Sequence, residues 1–185
     1  MQLATARLLL REFTEDDWPA VLAYQSDPRY LRYYAADSRA EAEVRAFANR
    51  FVQNQQETVR TKFQLAIVLP DSGQLIGNCG VRLASPDAHQ ADIGYELAPM
   101  QWGQGYASEA AAAIVRFAFE DLRVHRLWAS CIADNVASAR VLEKLGMQLE
   151  GRLRENEQFK GRWWDTLIFG LLDREWQARH GTAQP

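Results

Sequence analysis

The sequence predicts one mixed α/β domain in which about four helices flank a mostly antiparallel sheet of seven strands. Three observations predict it. The chain has 185 residues, of which 48% are hydrophobic and 24% charged, which is enough for one well-packed core. Apolar residues recur at helical spacing in some segments and alternate with polar residues in others. These segments run strand, two helices, three strands, helix, strand, helix and two strands, an order typical of a mixed sheet covered by helices.

The first strand and two helices precede residue 60. "RLLLREF", from Arg7, has a strand composition, and "TEDD", from Thr14, supplies a capping residue and early acids that suit the positive end of a helix. The second helix covers "SRAEAEVRAFANRFVQ", where Ser38 and Glu41 have the spacing of a capping box. The aromatic and basic segment "RYLRYY" between them either packs against a neighbouring surface or lines a binding cleft.

Three strands with a period of two follow from Lys62. Two of them form a hairpin around "PDSG", and the third is "ADIGYEL". Side chains alternate along a strand, so this third strand has two different faces. One face carries Ile93, Tyr95 and Leu97, and the other carries Asp92, Gly94 and Glu96.

The second half of the chain continues with a long alanine-rich helix after Gly105. "HRLWASCIA" is a strand, "DNVASARVLEKLG" is a short helix ended by Gly146, and "EGRLRENEQFKGRWWDTLIFGLLDREW" is a closing hairpin. We assign the single domain to residues 1–178 and a frayed tail to residues 179–185.

Charge and composition exclude several function classes. The formal net charge is −3, and 21 basic and 24 acidic residues are interspersed, so no basic stripe indicates nucleic acid or anionic lipid. No apolar stretch has the length of a signal peptide or a membrane span, which predicts a cytoplasmic protein. His89, His125 and His180 lack metal-ligand spacing, so we expect no metal. Cys79 and Cys131 fall in strand-like segments, which favours buried thiols.

Gly103 and Gly105 lie where a strand gives way to the alanine-rich helix. Glycines at such a junction permit a tight turn and leave the first helical amides free, which makes a site for phosphate. A Walker loop is excluded because no Gly-Lys-Ser/Thr occurs, and the dinucleotide fingerprint lacks its third glycine. The spacing alone therefore leaves two interpretations open, a phosphate site and an ordinary tight turn.

Several motifs in one order resemble the GNAT superfamily of acetyl-CoA-dependent N-acetyltransferases, and most closely its RimJ/RimL-like branch. They are "ARLLLREFTEDD", "IGYEL", "WGQGYASEA", "DNVASARVLEKLGM" and "GRWWDTLIFGLL". The resemblance implies a splayed, GNAT-like sheet and acetyl-CoA as cosubstrate. Trp102 departs from the superfamily's usual first loop residue, Gln or Arg, but suits this branch. The implied CoA contacts are Leu97, Gly103, Gln104, Gly105, Tyr106, Ala107, Ser108 and Asn135. Asn135 also suits a helix N-cap, and the two roles are compatible.

The resemblance further implies direct attack of an amine on the thioester, so neither cysteine is required as a nucleophile. Glu96 and Asp92 are candidate general bases, with Glu96 nearer the expected acetyl group; both also fit as solvated or structural carboxylates. The tyrosine acid of many superfamily members is replaced by Leu142, and Ser138 is a candidate to protonate or steady the leaving thiolate. Arg140 and Lys144 either meet the CoA 3′-phosphate or form a solvated helix face.

The acceptor is left open between a protein N-terminus, which we favour, and a small-molecule amine. No nucleic acid or membrane partner is expected, and a homodimer is left open. Two other functions stay possible from the sequence: a non-catalytic acyl-CoA-binding module on the same fold, and a nucleotide-binding protein that uses the same helix end.

Overall fold

A computed structural model of the chain describes residues 1–181, and its centre is one sheet. Eight strands lie in the order β1-β2-β3-β4-β5-β6-β8-β7. They are β1 (Gln2–Ala4), β2 (Leu9–Glu12), β3 (Lys62–Leu69), β4 (Gln74–Leu83), β5 (Gln90–Leu97), β6 (Arg126–Ile132), β7 (Gln148–Phe159) and β8 (Arg162–Leu172). Neighbouring strands are antiparallel except β5 and β6, the one parallel pair within residues 1–181.

In the described part of the chain six α-helices cover the sheet, and two short 3-10 helices, Glu15–Asp17 and Pro99–Gln101, precede α1 and α4 respectively. The helices are α1 (Trp18–Gln25), α2 (Pro28–Leu31), α3 (Glu41–Asn54), α4 (Tyr106–Glu120), α5 (Val136–Lys144) and α6 (Asp173–His180). None of the helices in the described part of the chain has both the length and the apolar character needed to span a membrane.

The two faces of the sheet bury separate cores. On one face α1, α2 and α3 pack through residues such as Val21, Tyr30 and Val44. On the other face the apolar stripe of α4, which includes Ala111 and Ile114, packs with the buried side of α5 against β4, β5 and β6. The apolar residues that recur at helical spacing in α4 therefore form the side of the helix that faces the sheet.

The predicted fold class is confirmed, with a different element count. An eighth strand, β1, pairs with β2 because the chain turns back where the amide of Thr5 donates to the carbonyl of Leu8 at 2.9 Å. The short helix α2 is an addition as well, and the carboxylate of Asp27 caps it by accepting from the amide of Arg29 at 2.8 Å.

Three local predictions differ from the structure. The closing hairpin ends at Leu172, and "DREW" begins α6, because the Glu175 carboxylate accepts from the amide of Leu172 at 3.0 Å and so caps a helix there. Since α6 continues to His180, the first two residues of the predicted tail are helical, and residues 182–185 of that tail lie outside the described residues. The capping box at Ser38 does not form, because α3 begins at Glu41 with Ala40 as its N-cap.

Candidate active site

The sheet opens between β5 and β6. The two strands pair only from Gln90–Asp92 to Arg126–Trp128, whereas β4 and β5 stay paired as far as Gly77 and Leu97. The amide of Ala98 donates to the carbonyl of Ile76 at 2.8 Å, which continues the β4–β5 ladder. Because backbone groups alternate in direction along a strand, the odd-numbered residues of β5 direct their N–H and C=O groups into the opening.

Leu97, the residue that the family resemblance implies as a thioester contact, is the last of these residues. Its carbonyl accepts a hydrogen bond from the Trp102 indole Nε1 at 2.9 Å. Its N–H has no partner in β6 among residues 1–181. The opening therefore has one polar edge whose backbone groups suit an extended chain carrying amides, such as a pantetheine arm.

The predicted phosphate loop begins a few residues later. Gly103 (φ +78°) and Gly105 (φ +83°) both have left-handed backbone conformations, which explains why glycine occupies both positions. Gly105 is the N-cap of α4. Within residues 1–181, no backbone amide from Gly103 to Ser108 donates a hydrogen bond. Free amides at the positive end of a helix fit a diphosphate, so the residues present suit CoA.

Arg7 adds a positive charge to this loop that the sequence analysis missed. Its Nη1 donates to the carbonyl of Gln104 at 2.9 Å, and its guanidinium lies 4.6 Å from the centroid of the Tyr106 ring. It also pairs with Glu109 at 2.7 Å, and the hydroxyl of Thr5 donates to the same carboxylate at 2.6 Å. Burial raises the pKa of Glu109, but these hydrogen bonds outweigh it and hold the pKa below its ordinary value.

A groove of about 270 Å³ lies along α4 from Ser108 to Arg116 and is also lined by the end of α5 and by α6. Ser108, Arg116, Lys144 and Arg179 are among its lining residues, so part of the lining is polar and basic. Lys144, one of the two candidates for a 3′-phosphate contact, therefore faces the groove, whereas Arg140 is exposed outside it.

The start of α5 lies across the opening from β5. The Asn135 side chain accepts from the amide of Ser138 at 3.2 Å, so Asn135 is an N-cap. The Ser138 hydroxyl lies 2.9 Å from the hydroxyl of Tyr95, which also donates to the Ser138 carbonyl at 2.9 Å. Burial raises the pKa of Tyr95. Leu142 is 1% exposed, so the position of the missing tyrosine is filled by core.

Glu96 occupies the opposite face of β5, next to α1. Its Oε2 accepts from Gln25 Nε2 at 2.8 Å and from the Tyr24 hydroxyl at 3.1 Å. Burial and the Glu96 charge raise the pKa of Tyr24 well above its ordinary value, and the same two causes raise the pKa of Tyr34 to about 12. Tyr30 stacks on Tyr34 with ring centroids 4.8 Å apart. The segment "RYLRYY" therefore contributes both to the core and to the surroundings of Glu96.

Asp92, the other candidate base, lies on the same face as Glu96 but has a different environment. Its Oδ2 accepts from Arg82 Nε at 2.7 Å and forms a second, shorter contact with the same guanidinium. The structure thus places one predicted carboxylate in an ion pair and the other among neutral donors.

Contacts across the open end of the sheet join its two halves. The Tyr33 hydroxyl donates to the carbonyl of Asp134 at 2.9 Å, and Lys160 Nζ donates to the carbonyl of Leu31 at 2.8 Å. Trp164 packs edge-on against Tyr33 with ring centroids 6.0 Å apart. These contacts connect the segment after α2 with the closing hairpin and with the residues before α5.

The two thiols are free and poorly suited to nucleophilic chemistry. Burial raises the pKa of Cys79 to about 12 and also raises the pKa of Cys131. Since the thiolate is the reactive form, neither side chain is activated.

Comparison with known proteins assigns the class. The acetyltransferase (GNAT) domain matches residues 7–148. The uncharacterized N-acetyltransferase YnaD of Bacillus subtilis is 34% identical over 176 residues, which cover 95% of this chain and 99% of YnaD. The crystal structure of a GNAT-family acetyltransferase from Bacillus anthracis superposes with a TM-score of 0.82 at 30% identity, covering 94% of this chain and 99% of that one. The chain belongs to the GNAT acetyltransferase family.

Within that family it is an N-acetyltransferase with acetyl-CoA as donor, and its relatives include ribosomal-protein N-acetyltransferases, as the RimJ/RimL-like motifs implied. One is the ribosomal protein uS5-alanine N-acetyltransferase of Escherichia coli, 25% identical over 115 residues that cover 62% of this chain and 59% of that protein. Spermidine N-acetyltransferase from Vibrio cholerae, solved with CoA and spermine, shares the fold with a TM-score of 0.79 at 17% identity, covering 93% of this chain and 99% of that one.

Proposed function

We propose that this enzyme transfers the acetyl group of acetyl-CoA to a primary amine that attacks the thioester carbonyl directly. One observation carries the proposal. At the end of β5, Leu97 presents to the opening of the sheet a backbone N–H that has no β6 partner among the described residues, and the preceding residue, Glu96, presents its carboxylate on the α1 face. A donor for the carbonyl oxygen and a base for the amine therefore lie one residue apart.

The cofactor side uses backbone groups. The amides from Gly103 to Ser108 would hold the diphosphate of CoA at the start of α4, with Asn135 contacting CoA from the other side of the opening. The N–H of Leu97 would stabilise the negative charge that develops on the thioester oxygen. A preorganised donor of this kind contributes about 3 kcal/mol to a transition state.

Glu96 is the better base on chemical grounds. The Asp92 carboxylate is engaged in an ion pair with Arg82, whereas within residues 1–181 Glu96 accepts only from the neutral donors Gln25 and Tyr24 and so has no cation competing with the amine. An α-amino group with a pKa of about 7.8 needs little help to become neutral at pH 7, whereas a lysine at about 10.4 needs about 3.5 kcal/mol more. A single carboxylate therefore suits an acceptor that is easily deprotonated.

Ser138 would assist the leaving thiolate. Its hydroxyl is at the mouth of the opening, where Tyr95 holds it at 2.9 Å. If the CoA thiol has a pKa of about 8.5, leaving unprotonated at pH 7 costs about 2 kcal/mol, so this assistance is useful and not essential.

The acceptor we favour is a protein N-terminus, with a small-molecule amine as the second candidate. Both kinds of acceptor occur among proteins similar to this one, namely a ribosomal-protein alanine and spermidine. The test is release of free thiol from acetyl-CoA in the presence of N-terminal peptides, polyamines and amino sugars. Turnover of peptides with free N-termini is expected. Tight CoA binding with no turnover on any amine would instead indicate a non-catalytic CoA-binding module.

Two properties stay predictions. We expect the enzyme to act in the cytoplasm. A homodimer is the second prediction, and light scattering of the purified protein at micromolar concentration would detect it. Fractionation of cells that express the full chain would check the compartment.

A further inference from the structure

Buried polar side chains are concentrated on the face of the sheet that carries Glu96 and packs on α1, which we call the acceptor face. Gln25 (3% exposed), Gln64 (6%) and Asn78 (1%) are three of the five buried polar or charged residues within residues 1–181. Burying an amide is unfavourable unless it is hydrogen-bonded. Gln64 and Asn78 lie within β3 and β4, at positions where an apolar residue would fill the same space, so their hydrogen bonds need an explanation.

The amides of Gln64 and Asn78 belong to an unbroken chain of hydrogen bonds. Arg82 Nη1 donates to Gln64 Oε1 at 3.1 Å, and Gln64 Nε2 donates to Asn78 Oδ1 at 2.6 Å. Asn78 Nδ2 then donates to the Tyr24 hydroxyl at 2.9 Å. Tyr24 donates to Glu96 Oε2 at 3.1 Å. The chain runs across three strands and ends on the base proposed above.

The direction of every bond in the chain is determined by its two ends. A guanidinium only donates hydrogen bonds, and a carboxylate only accepts them. The amides of Gln64 and Asn78 must therefore each receive on oxygen and donate from nitrogen, and the Tyr24 proton must point at Glu96. The ion pair with Asp92 holds Arg82 at the start of the chain.

We propose that Asp92, Arg82, Gln64 and Asn78 are positioning residues, which act through Tyr24 to keep a hydrogen-bond donor directed at Glu96. The inference rests on the proposed role of Glu96 as the base. It gives Asp92 a different task from the one its position in the sequence indicated. Asp92 anchors the chain, and Glu96 meets the amine.

Two glycines make this arrangement possible. Gly80 and Gly94 are cross-strand partners in β4 and β5. A Cβ atom on Gly80 would lie 2.4 Å from Gln64 Oε1, and one on Gly94 would lie 2.9 Å from Arg82 Nη2. Side chains at these positions would displace the first two members of the chain from the sheet surface.

The charged and titratable groups around Glu96 come from several elements. Tyr24 is on α1, Tyr30 on α2 and Tyr34 on the segment that follows, and all three carry protons whose pKa is raised by burial and by the Glu96 charge. Arg39 lies over the Tyr34 ring at 5.5 Å. Arg82 and Asp92 face the same side further along β4 and β5.

Loss of the Tyr24 donor should raise the pKa of Glu96, because the charged form of the carboxylate loses a hydrogen bond.

The experiment measures the pKa of Glu96 directly from the pH dependence of its side-chain carboxyl ¹³C shift, assigned with Glu96→Gln. Tyr24→Phe removes the donor. Gln64→Glu leaves Tyr24 in place but introduces a second acceptor opposite Asn78, so the Asn78 amide must turn and the Tyr24 proton must follow it away from Glu96. Each variant is expected to raise the pKa of Glu96 by about one unit, the size expected for one hydrogen bond to a charged group.

A double variant separates the chain from a simple charge effect. In the Tyr24→Phe background, Gln64→Glu is expected to cause little further shift, because the donor it acts through is gone. Gln25→Met, which removes the other donor to Glu96, is the matched control and should add to Gln64→Glu. An equal shift from Gln64→Glu with and without Tyr24, or no shift at all, overturns the proposal.

Folding and function are checked separately. If Gln64→Glu fails to fold by circular dichroism, Asn78→Asp tests the same prediction, because its new carboxylate accepts from both Gln64 and Tyr24. The pH profile of kcat/KM supplies the functional readout, with its acid limb expected to move with the pKa of Glu96. If Glu96→Gln leaves that limb in place while the ¹³C results hold, the assignment of Glu96 as base fails and the hydrogen-bond chain stands.

Discussion

In the proposed reaction the two faces of β5 contribute different kinds of groups, backbone amides on one face and buried side chains on the other. On the α4 side, the expected CoA contacts are backbone amides of exposed or half-exposed residues that follow Gly103 and Gly105. On the α1 side, Glu96 is held by side chains that are almost fully buried, among them Tyr24 (4% exposed) and Asn78 (1%). A site made of backbone depends on local conformation. A site made of buried side chains depends on every partner being present.

This difference decides how each face responds to substitution. On the α4 side, which we call the cofactor face, most side chains are replaceable, and only a change that alters the backbone or fills the loop should matter. On the acceptor face, even an isosteric change leaves a buried donor or acceptor without its partner. The predictions below test that contrast.

The largest effect is expected for Glu96→Gln. The amide keeps the shape of the side chain but removes the base, so kcat/KM should fall about 10²- to 10⁴-fold while the affinity for CoA is unchanged. Steady-state thiol release and calorimetry with CoA measure the two quantities. Asp92→Asn is the matched control, and its loss should be much smaller because Asp92 only anchors Arg82. A larger loss for Asp92→Asn than for Glu96→Gln would indicate that Asp92, and not Glu96, is the base.

Gly105→Val should produce the next largest effect, on the other face. Valine is strained at φ +83°, and its side chain would occupy the space above the free amides, so the Kd for CoA should rise more than about tenfold. Calorimetry measures it. Gly73→Val is the matched control, because Gly73 has φ +68° in the β3–β4 turn and a Cβ there meets nothing within 4 Å.

Both glycine variants should lose a similar amount of thermal stability, since both force a β-branched residue into the left-handed region. Only Gly105→Val should bind CoA more weakly. Equal CoA affinity in the two variants would contradict the assignment of the loop.

The sequence was informative where function depends on local backbone and less so elsewhere. Gly103, Gly105 and Asn135 were identified because turn and cap geometry follow from a few neighbouring residues. Tyr24, Gln64 and Asn78 were missed because they come from three separate elements and meet only in the folded sheet. The only local signal was polar residues inside otherwise apolar strands, at Gln64 and Asn78.

Two of the elements that the sequence did not predict, α6 and β1, have a similar cause. "DREW" contains a tryptophan and follows a strand, but the Glu175 carboxylate caps a helix at Leu172. β1 was missed because its three residues have no pattern of their own, and only pairing with β2 makes them a strand.

Ser138→Ala should have a smaller effect than either of the first two changes. Removal of the hydroxyl takes away assistance to the leaving thiolate, worth at most about 2 kcal/mol, so kcat should fall by no more than about 30-fold. Thiol release at several pH values measures it, with the loss expected to shrink as the pH approaches the thiol pKa of about 8.5. Tyr95→Phe, which keeps Ser138 but frees its hydroxyl, is the control. A loss that does not depend on pH would contradict a role in thiolate protonation.

The smallest effect is expected for Arg7→Gln. Arg7 brings a positive charge to the phosphate loop, but Glu109 neutralises it and the guanidinium is 47% exposed, so solvent screens most of its field. The Kd for CoA should therefore rise only about two- to fivefold, and less at high salt. Arg152→Gln breaks an ion pair of similar exposure, that with Asp165, away from the loop, and should leave the Kd unchanged. An equal change in both variants would mean that Arg7 acts through overall charge and not through its contact with Gln104.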